Sequence, residues 1–98
     1  MDHQLRIYKL KEGRLEDFLT LWREHVVPAR AACGFEVVAS YVNREERELA
    51  WIVRHTGEGG FEAGDARYYA SAERAALPWD PREAIASAEL RMLEVYNP

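Results

Sequence analysis

An imidazole changes charge nearest neutral pH, so the three histidines are the first residues to weigh for acid or base chemistry. His3 falls in an N-terminal tail and His55 at the end of a strand-like run, which leaves His25 in the segment Trp22 to Pro28 (WREHVVP). Pro28 lacks a backbone donor and disturbs the helical pattern around it. His25 is therefore expected at an irregular place, facing a gap between helix and sheet as a general acid or base. The commoner fate of such a residue is a surface or partly buried helical histidine. Around the same gap the pattern gathers Trp22, Tyr41, Trp51, Tyr68 and Tyr69. Aromatic walls with a few hydroxyls suit a flat organic ligand, although ordinary core packing accounts for these residues at least as well.

Other groups carry weaker signals. Arg54 and Arg91 fall on the outward parity of their strands, where they can bind an acidic ligand group or pair with a glutamate across an interface. Pairing is favoured, because an unpaired buried arginine is expensive. Asp65 lies among tyrosines and reads either as a site carboxylate or, more commonly, as a helix-surface acid. The loop Thr56 to Gly60 (TGEGG) has the glycines of a phosphate loop but not its final glycine and lysine, and Glu58 and Glu62 would repel phosphate. It is expected to be a flexible connection or a lid. Cys33, the single cysteine, has no adjacent histidine and reads as a buried structural thiol. His55 and Glu58 are the nearest pair of metal-binding residue types outside the helix, and two such groups do not preorganise a site. No metal or other cofactor is expected. There is no GxSxG, HExxH or Cys-His nucleophile arrangement, so hydrolase chemistry has no support.

Composition narrows the partners. A formal charge of −4, with basic residues scattered singly, argues against nucleic acid and anionic membrane surfaces. No window offers the ~18 uncharged apolar residues of a membrane span. Residues 1–98 make one domain, 48% apolar, too short for a second core. Because the start of the chain runs directly into a strand pattern without a basic stretch and apolar core, a cytoplasmic address is expected.

The elements that must position these residues follow from periodicity. Gln4 to Leu10 alternates like a strand, and Leu15, Phe18, Leu19, Trp22 and Val26 mark one stripe of a long helix that should kink near His25 to Pro28 and stop at Gly34. Phe35 to Val42 and Glu48 to His55 read as a hairpin. Phe61 to Leu77 returns to helical spacing, with Ser71 as an internal N-cap that divides it into two short helices. Asp80, Pro81 and Glu83 suit a further helical turn, and Glu89 to Tyr96 closes the chain as a fourth strand.

The order βαββαβ gives an α+β, ferredoxin-like fold: a four-stranded antiparallel sheet with its helices on one face. One strand parity offers Leu5, Ile7, Val37, Ala39, Leu49, Trp51, Val53, Leu90 and Met92 to the helices. The other still carries Tyr8, Leu10, Val38, Val42, Ile52, Leu93 and Val95, where a solvated face would be polar. A homodimer through that sheet face is expected, sheet against sheet.

The stretch LRIYKLKEGRLEDFLTLWREHVVPARAACGF, the hairpin after it, and GGFEAGDARYYASAERAAL together resemble the NIPSNAP family of the dimeric α+β barrel superfamily. The resemblance runs from about Leu5 to about Leu93, and WREHVVP and YYASAERAAL are its most specific pieces. It implies the same dimeric fold, but most members have no assigned reaction. The wider superfamily includes cofactor-independent monooxygenases, haem-degrading enzymes and lactone isomerases, and a shared fold does not transfer any of these activities. Haem is further disfavoured because Phe61 to Leu77 contains no histidine for an axial ligand. The leading expectation is a dimeric binder of a small apolar or aromatic metabolite. The alternative is a monooxygenase or isomerase using His25, and a third reading is a scaffold module. The sequence does not decide whether the chain is an enzyme.

Overall fold

The computed structural model describes all 98 residues. Strand β1 (His3–Leu10) leads through a turn at Gly13 (φ +76°) into helix α1 (Leu15–Leu21), a π-helical turn (Trp22–Val26) and helix α2 (Val27–Ala32). Strands β2 (Phe35–Asn43) and β3 (Glu48–His55) form a hairpin, followed by α3 (Gly60–Tyr69), α4 (Ala72–Ala75), a 3-10 turn (Pro81–Glu83) and β4 (Ile85–Leu93). The sheet is antiparallel in the order β2-β3-β1-β4, and the helices lie on one side of it. This is the expected ferredoxin-like arrangement.

The kink expected at Pro28 takes a specific form. The helix does not break. The backbone N–H of Val27 reaches back to the Trp22 carbonyl, and this widened turn ends where proline, without an N–H, occupies the first turn of α2. Gly34 then terminates the run at φ +88°, a conformation that favours glycine. Farther on, the Ser71 hydroxyl accepts from Arg74 N at 3.0 Å and caps α4, and the Asp80 carboxylate accepts from Arg82 N at 3.0 Å to start the 3-10 turn. Both caps are legible in the sequence. The last strand begins at Ile85 rather than Glu89, because β1 pairs with it from Leu10↔Ile85 onward.

The faces of the sheet differ from expectation at β1. Its buried parity is Gln4, Arg6, Tyr8 and Leu10, which faces the helices with Leu49, Trp51, Val53 and His55 of β3. Leu5 and Ile7 point to the other side, where Leu5 pairs with Ile52. Tyr8 and Leu10 are therefore core residues and not part of the outer face. Both parities of β1 contain apolar residues, so alternation alone cannot say which faces the helices, and the polar Gln4 and Arg6 are buried by partners from elsewhere in the fold. In β2 the register shifts between Val37 and Ala39, so Val37 pairs with Val53 while Ala39 pairs with Ile52, on opposite faces. Leu90 and Met92 do share the parity of Arg6 and Gln4, but they remain 50% and 38% exposed because no helix covers the edge strand.

At the far end of the sheet His55 is 4% exposed and packs on Phe35, with ring centroids 4.8 Å apart. Three glycines make room for its ring: Cβ atoms on Gly57 and Gly34 would come within 3.1 and 3.2 Å of it, and one on Gly64 would overlap it. Neither ring nitrogen has a hydrogen-bond partner.

Candidate functional site

Between the helices and the sheet lies a cavity of about 280 Å³, bounded by β1, the first helical run, α3, α4 and the start of β4. Its apolar wall is Phe18, Val26 and Ile85, and its hydroxyls are those of Tyr8, Tyr68 and Tyr69. The remaining polar lining consists of four arginines: Arg6, Arg30, Arg74 and Arg82.

The topology explains how they meet. Arg6 sits in the middle of a central strand on the helix-facing parity. Arg30 continues the four-residue spacing of Phe18, Trp22 and Val26 down the buried stripe of the first helical run. Arg74 and Arg82 come from the two capped turns that follow α3. Their common neighbour is Tyr69. Its hydroxyl accepts from Arg6 Nη2 at 3.1 Å and from Arg30 Nη2 at 3.4 Å, and the guanidinium carbons of Arg30, Arg74 and Arg82 stand 5.5, 5.7 and 5.6 Å from its ring centre.

Charge balance within this group is uneven. Asp65 pairs with Arg30 at 2.8 Å and Asp80 with Arg74 at 3.0 Å. Arg6, only 4% exposed, donates to Gln4 Oε1 at 2.6 Å, Tyr8 Oη at 2.7 Å and Tyr69 Oη at 3.1 Å, all uncharged acceptors at neutral pH. Burial acts to lower the pKa of Arg6, but Tyr8 and Tyr69, together with the nearby Asp65 carboxylate, outweigh it and hold the group above its ordinary value, so the charge persists. Burial pushes the Tyr8 phenol up, against the opposing pull of Arg6, and pushes Tyr68 up against Arg30 and Arg74. The cavity thus holds neutral phenols and charged guanidiniums.

Of the residues singled out in the sequence, Tyr68 and Tyr69 line this cavity. Trp51 is 1% exposed and lies behind it, with Arg6 and Arg30 at 5.7 and 5.8 Å from its ring and Trp22 edge-on at 5.4 Å. The two tryptophans form the packed backing of the arginine layer, and neither lines the cavity. Tyr41 is 70% exposed and shares the outer sheet face with its partner Ala50. His25 is exposed and does not face the gap between helix and sheet; it borders a shallow groove with Asp17, Thr20 and Trp79. The π-turn keeps Trp22 and Val26 on the inward stripe, which leaves His25, one residue before Val26, on the outward side.

Arg54 and Arg91 pair within the chain, with Glu36 at 3.5 Å and Glu89 at 3.3 Å. Asp65 is not a bare surface acid, since it holds Arg30. Cys33 is half-buried against the core. No three His, Cys, Asp or Glu side chains converge as metal ligands, and no helix is long and apolar enough to cross a membrane.

Two clues to the arginine group were present in the sequence. Arg30 lies on the apolar stripe, and Arg6 lies on the parity shared by Tyr8 and Leu10. Nothing in the sequence marks Arg74 and Arg82, because their convergence depends on how two short turns fold back over α3.

A βαββαβ sheet with helices on one side and a cavity between the layers defines a ferredoxin-like α+β protein. Among solved structures this architecture is shared with NIPSNAP-family proteins. One from Agrobacterium tumefaciens superposes with a TM-score of 0.80 at 18% identity over 97% of this chain and 85% of its own. A NIPSNAP domain protein from Burkholderia xenovorans gives a TM-score of 0.76 at 13% identity over 100% and 99%. An antibiotic biosynthesis monooxygenase has the same fold, with a TM-score of 0.67 at 12% identity over 99% and 100%. No protein-family model matches the chain, and no curated protein matches it.

Proposed function

We propose that this protein binds a small, flat, largely apolar or aromatic organic molecule in the cavity between its helices and its sheet. The observation that carries this reading is the cavity itself: about 280 Å³ of space walled by Phe18, Tyr68, Tyr69 and Ile85, lying against the packed core of Trp51, Tyr8 and Phe18. Native mass spectrometry of protein isolated without denaturation tests it. A bound organic mass is expected, and Ala88→Trp, which places an indole in the cavity from the exposed side of β4, should abolish it. A bound mass that survives this substitution would place the ligand elsewhere.

Likeness to a monooxygenase fold favours a second reading, cofactor-independent oxygenase or isomerase turnover. With His25 on the outer side of the helix, an acid or base for a ligand in the cavity would have to come from the tyrosines.

The bare side of the sheet supports self-association. The molecule measures 38 × 37 × 19 Å, one helical layer on one sheet, and its uncovered face carries Leu5, Ile7, Ile52, Leu93 and the exposed Tyr41. A second copy of the chain, sheet against sheet, is the proposed cover.

A further inference from the structure

The cavity lining combines four arginines with no aspartate or glutamate, in a chain that has 17 acidic and 13 basic residues. Two of the four are balanced by carboxylates just outside the lining, Arg30 by Asp65 and Arg74 by Asp80. The other two have no direct ion pair. Arg6 donates only to neutral acceptors and feels the Asp65 carboxylate from beyond hydrogen-bond reach, and Arg82 stacks 5.6 Å from the Tyr69 ring with Asp80 nearby but bonded to Arg74. A buried guanidinium without a carboxylate in direct contact is costly to maintain. Donors also remain free: a guanidinium has five N–H groups, Arg6 uses one each from Nε, Nη1 and Nη2, and Arg30 Nε is buried without a partner.

We infer that the ligand carries an anionic group, a carboxylate or a phosphate, that supplies the direct ion pair Arg6 lacks, while its flat apolar body lies against Phe18, Val26 and Ile85. Arg6 forms the floor of the site and the exposed Arg82 its rim, so an arriving anion meets Arg82 first and is held by Arg6. Tyr69, already engaged by two guanidiniums, fixes the spacing of the donors around it. This inference rests on the cavity being the ligand site, as proposed above.

Matched probes test it. Naphthoate, naphthyl phosphate and the neutral isostere naphthamide are titrated by calorimetry into the intact protein and into Arg6→Met, Arg82→Met and Ala88→Trp variants, each checked for folding by circular dichroism. At least one anionic probe is expected to bind about tenfold or more tightly than naphthamide, as for a charge-assisted bidentate contact. Arg6→Met should erase most of that preference, and Arg82→Met should reduce it and weaken its dependence on salt. Whichever anion binds more tightly identifies the headgroup as carboxylate or phosphate. Equal affinity for naphthoate, naphthyl phosphate and naphthamide, all blocked by Ala88→Trp, would overturn the anionic inference while leaving the cavity reading intact. Binding unaffected by Ala88→Trp, or no binding of any probe, would overturn both. If Arg6→Met fails to fold, Arg6→Lys serves in its place: it keeps the charge but loses the fork, and a retained anion preference with reduced affinity supports the inference.

Discussion

Arg6 Nη2 donates to the hydroxyl of Tyr69 across 3.1 Å and so ties the middle of the sheet to the end of α3. Because Arg30 shares the same acceptor at 3.4 Å, one phenol oxygen serves two charged donors. Tyr69→Phe should destabilise the fold by about 1–2 kcal/mol, the low end for hydrogen bonds to charged groups, since Tyr69 is 40% exposed and water can partly replace it. Urea denaturation measures this directly. No loss of stability would mean that the arginines are equally well solvated without the phenol, and that its role belongs to the ligand alone.

The glycine-lined position of His55 makes a second prediction. Inside a helix alanine is worth about 1 kcal/mol more than glycine, so in open space Gly64→Ala would stabilise α3. At Gly64 the new Cβ would overlap the His55 ring, and the substitution should instead cost about 1–3 kcal/mol. Removing the ring with His55→Ala should relieve the clash. A double-mutant cycle is expected to show favourable coupling of about 1 kcal/mol or more, and simple additivity would mean that the imidazole moves aside freely.

How far the sequence reaches can be judged from β1 and the helical run. Element order, both caps and the irregularity near Pro28 were all legible, because each depends on residues within a few positions of one another. Which face of β1 meets the helices was not legible: Leu5 and Ile7 compete with Tyr8 and Leu10, and the outcome depends on the partners that Gln4 finds in Met92 and Arg6 in Tyr69, far along the chain. The site suffered similarly. Tyr68 and Tyr69 were identifiable as aromatic wall, but the arginine group assembles from β1, α2 and two later turns, and no local pattern joins them. His25 drew attention by residue type, while its orientation depended on the phase of a π-turn.

Alkaline pH should expose the buried phenols. Burial raises the pKa values of Tyr8 and Tyr68 in the folded state, so their contribution to stability is fully present below the ordinary value of 10.0 and is lost as pH rises through the higher folded values. Denaturant midpoints measured from neutral pH upward should therefore fall above about pH 10. Tyr8→Phe is less stable at neutral pH, because Arg6 loses an acceptor, but its alkaline decline should be shallower. An unchanged slope would show that Tyr8 ionises in the fold as easily as in the unfolded chain.

The proposed dimer makes the last prediction, at Ile52. This side chain lies on the helix-free side of the sheet, opposite Leu5 on β1 and Ala39 on β2, in the middle of the face that a second copy would cover. Ile52→Asp would place two symmetry-related carboxylates between two sheets, at a cost of several kcal/mol per group unless they take up protons. In an isolated protomer the same aspartate would face water and cost little. The variant is therefore expected to sediment as a folded monomer where the unmodified protein sediments as a dimer, with its far-ultraviolet circular dichroism unchanged. Thr20→Asp, on the exposed side of α1, provides a control that adds the same charge without touching the sheet and should leave the dimer intact. A dimeric Ile52→Asp variant would remove this face as the interface, and a monomeric unmodified protein would remove self-association altogether.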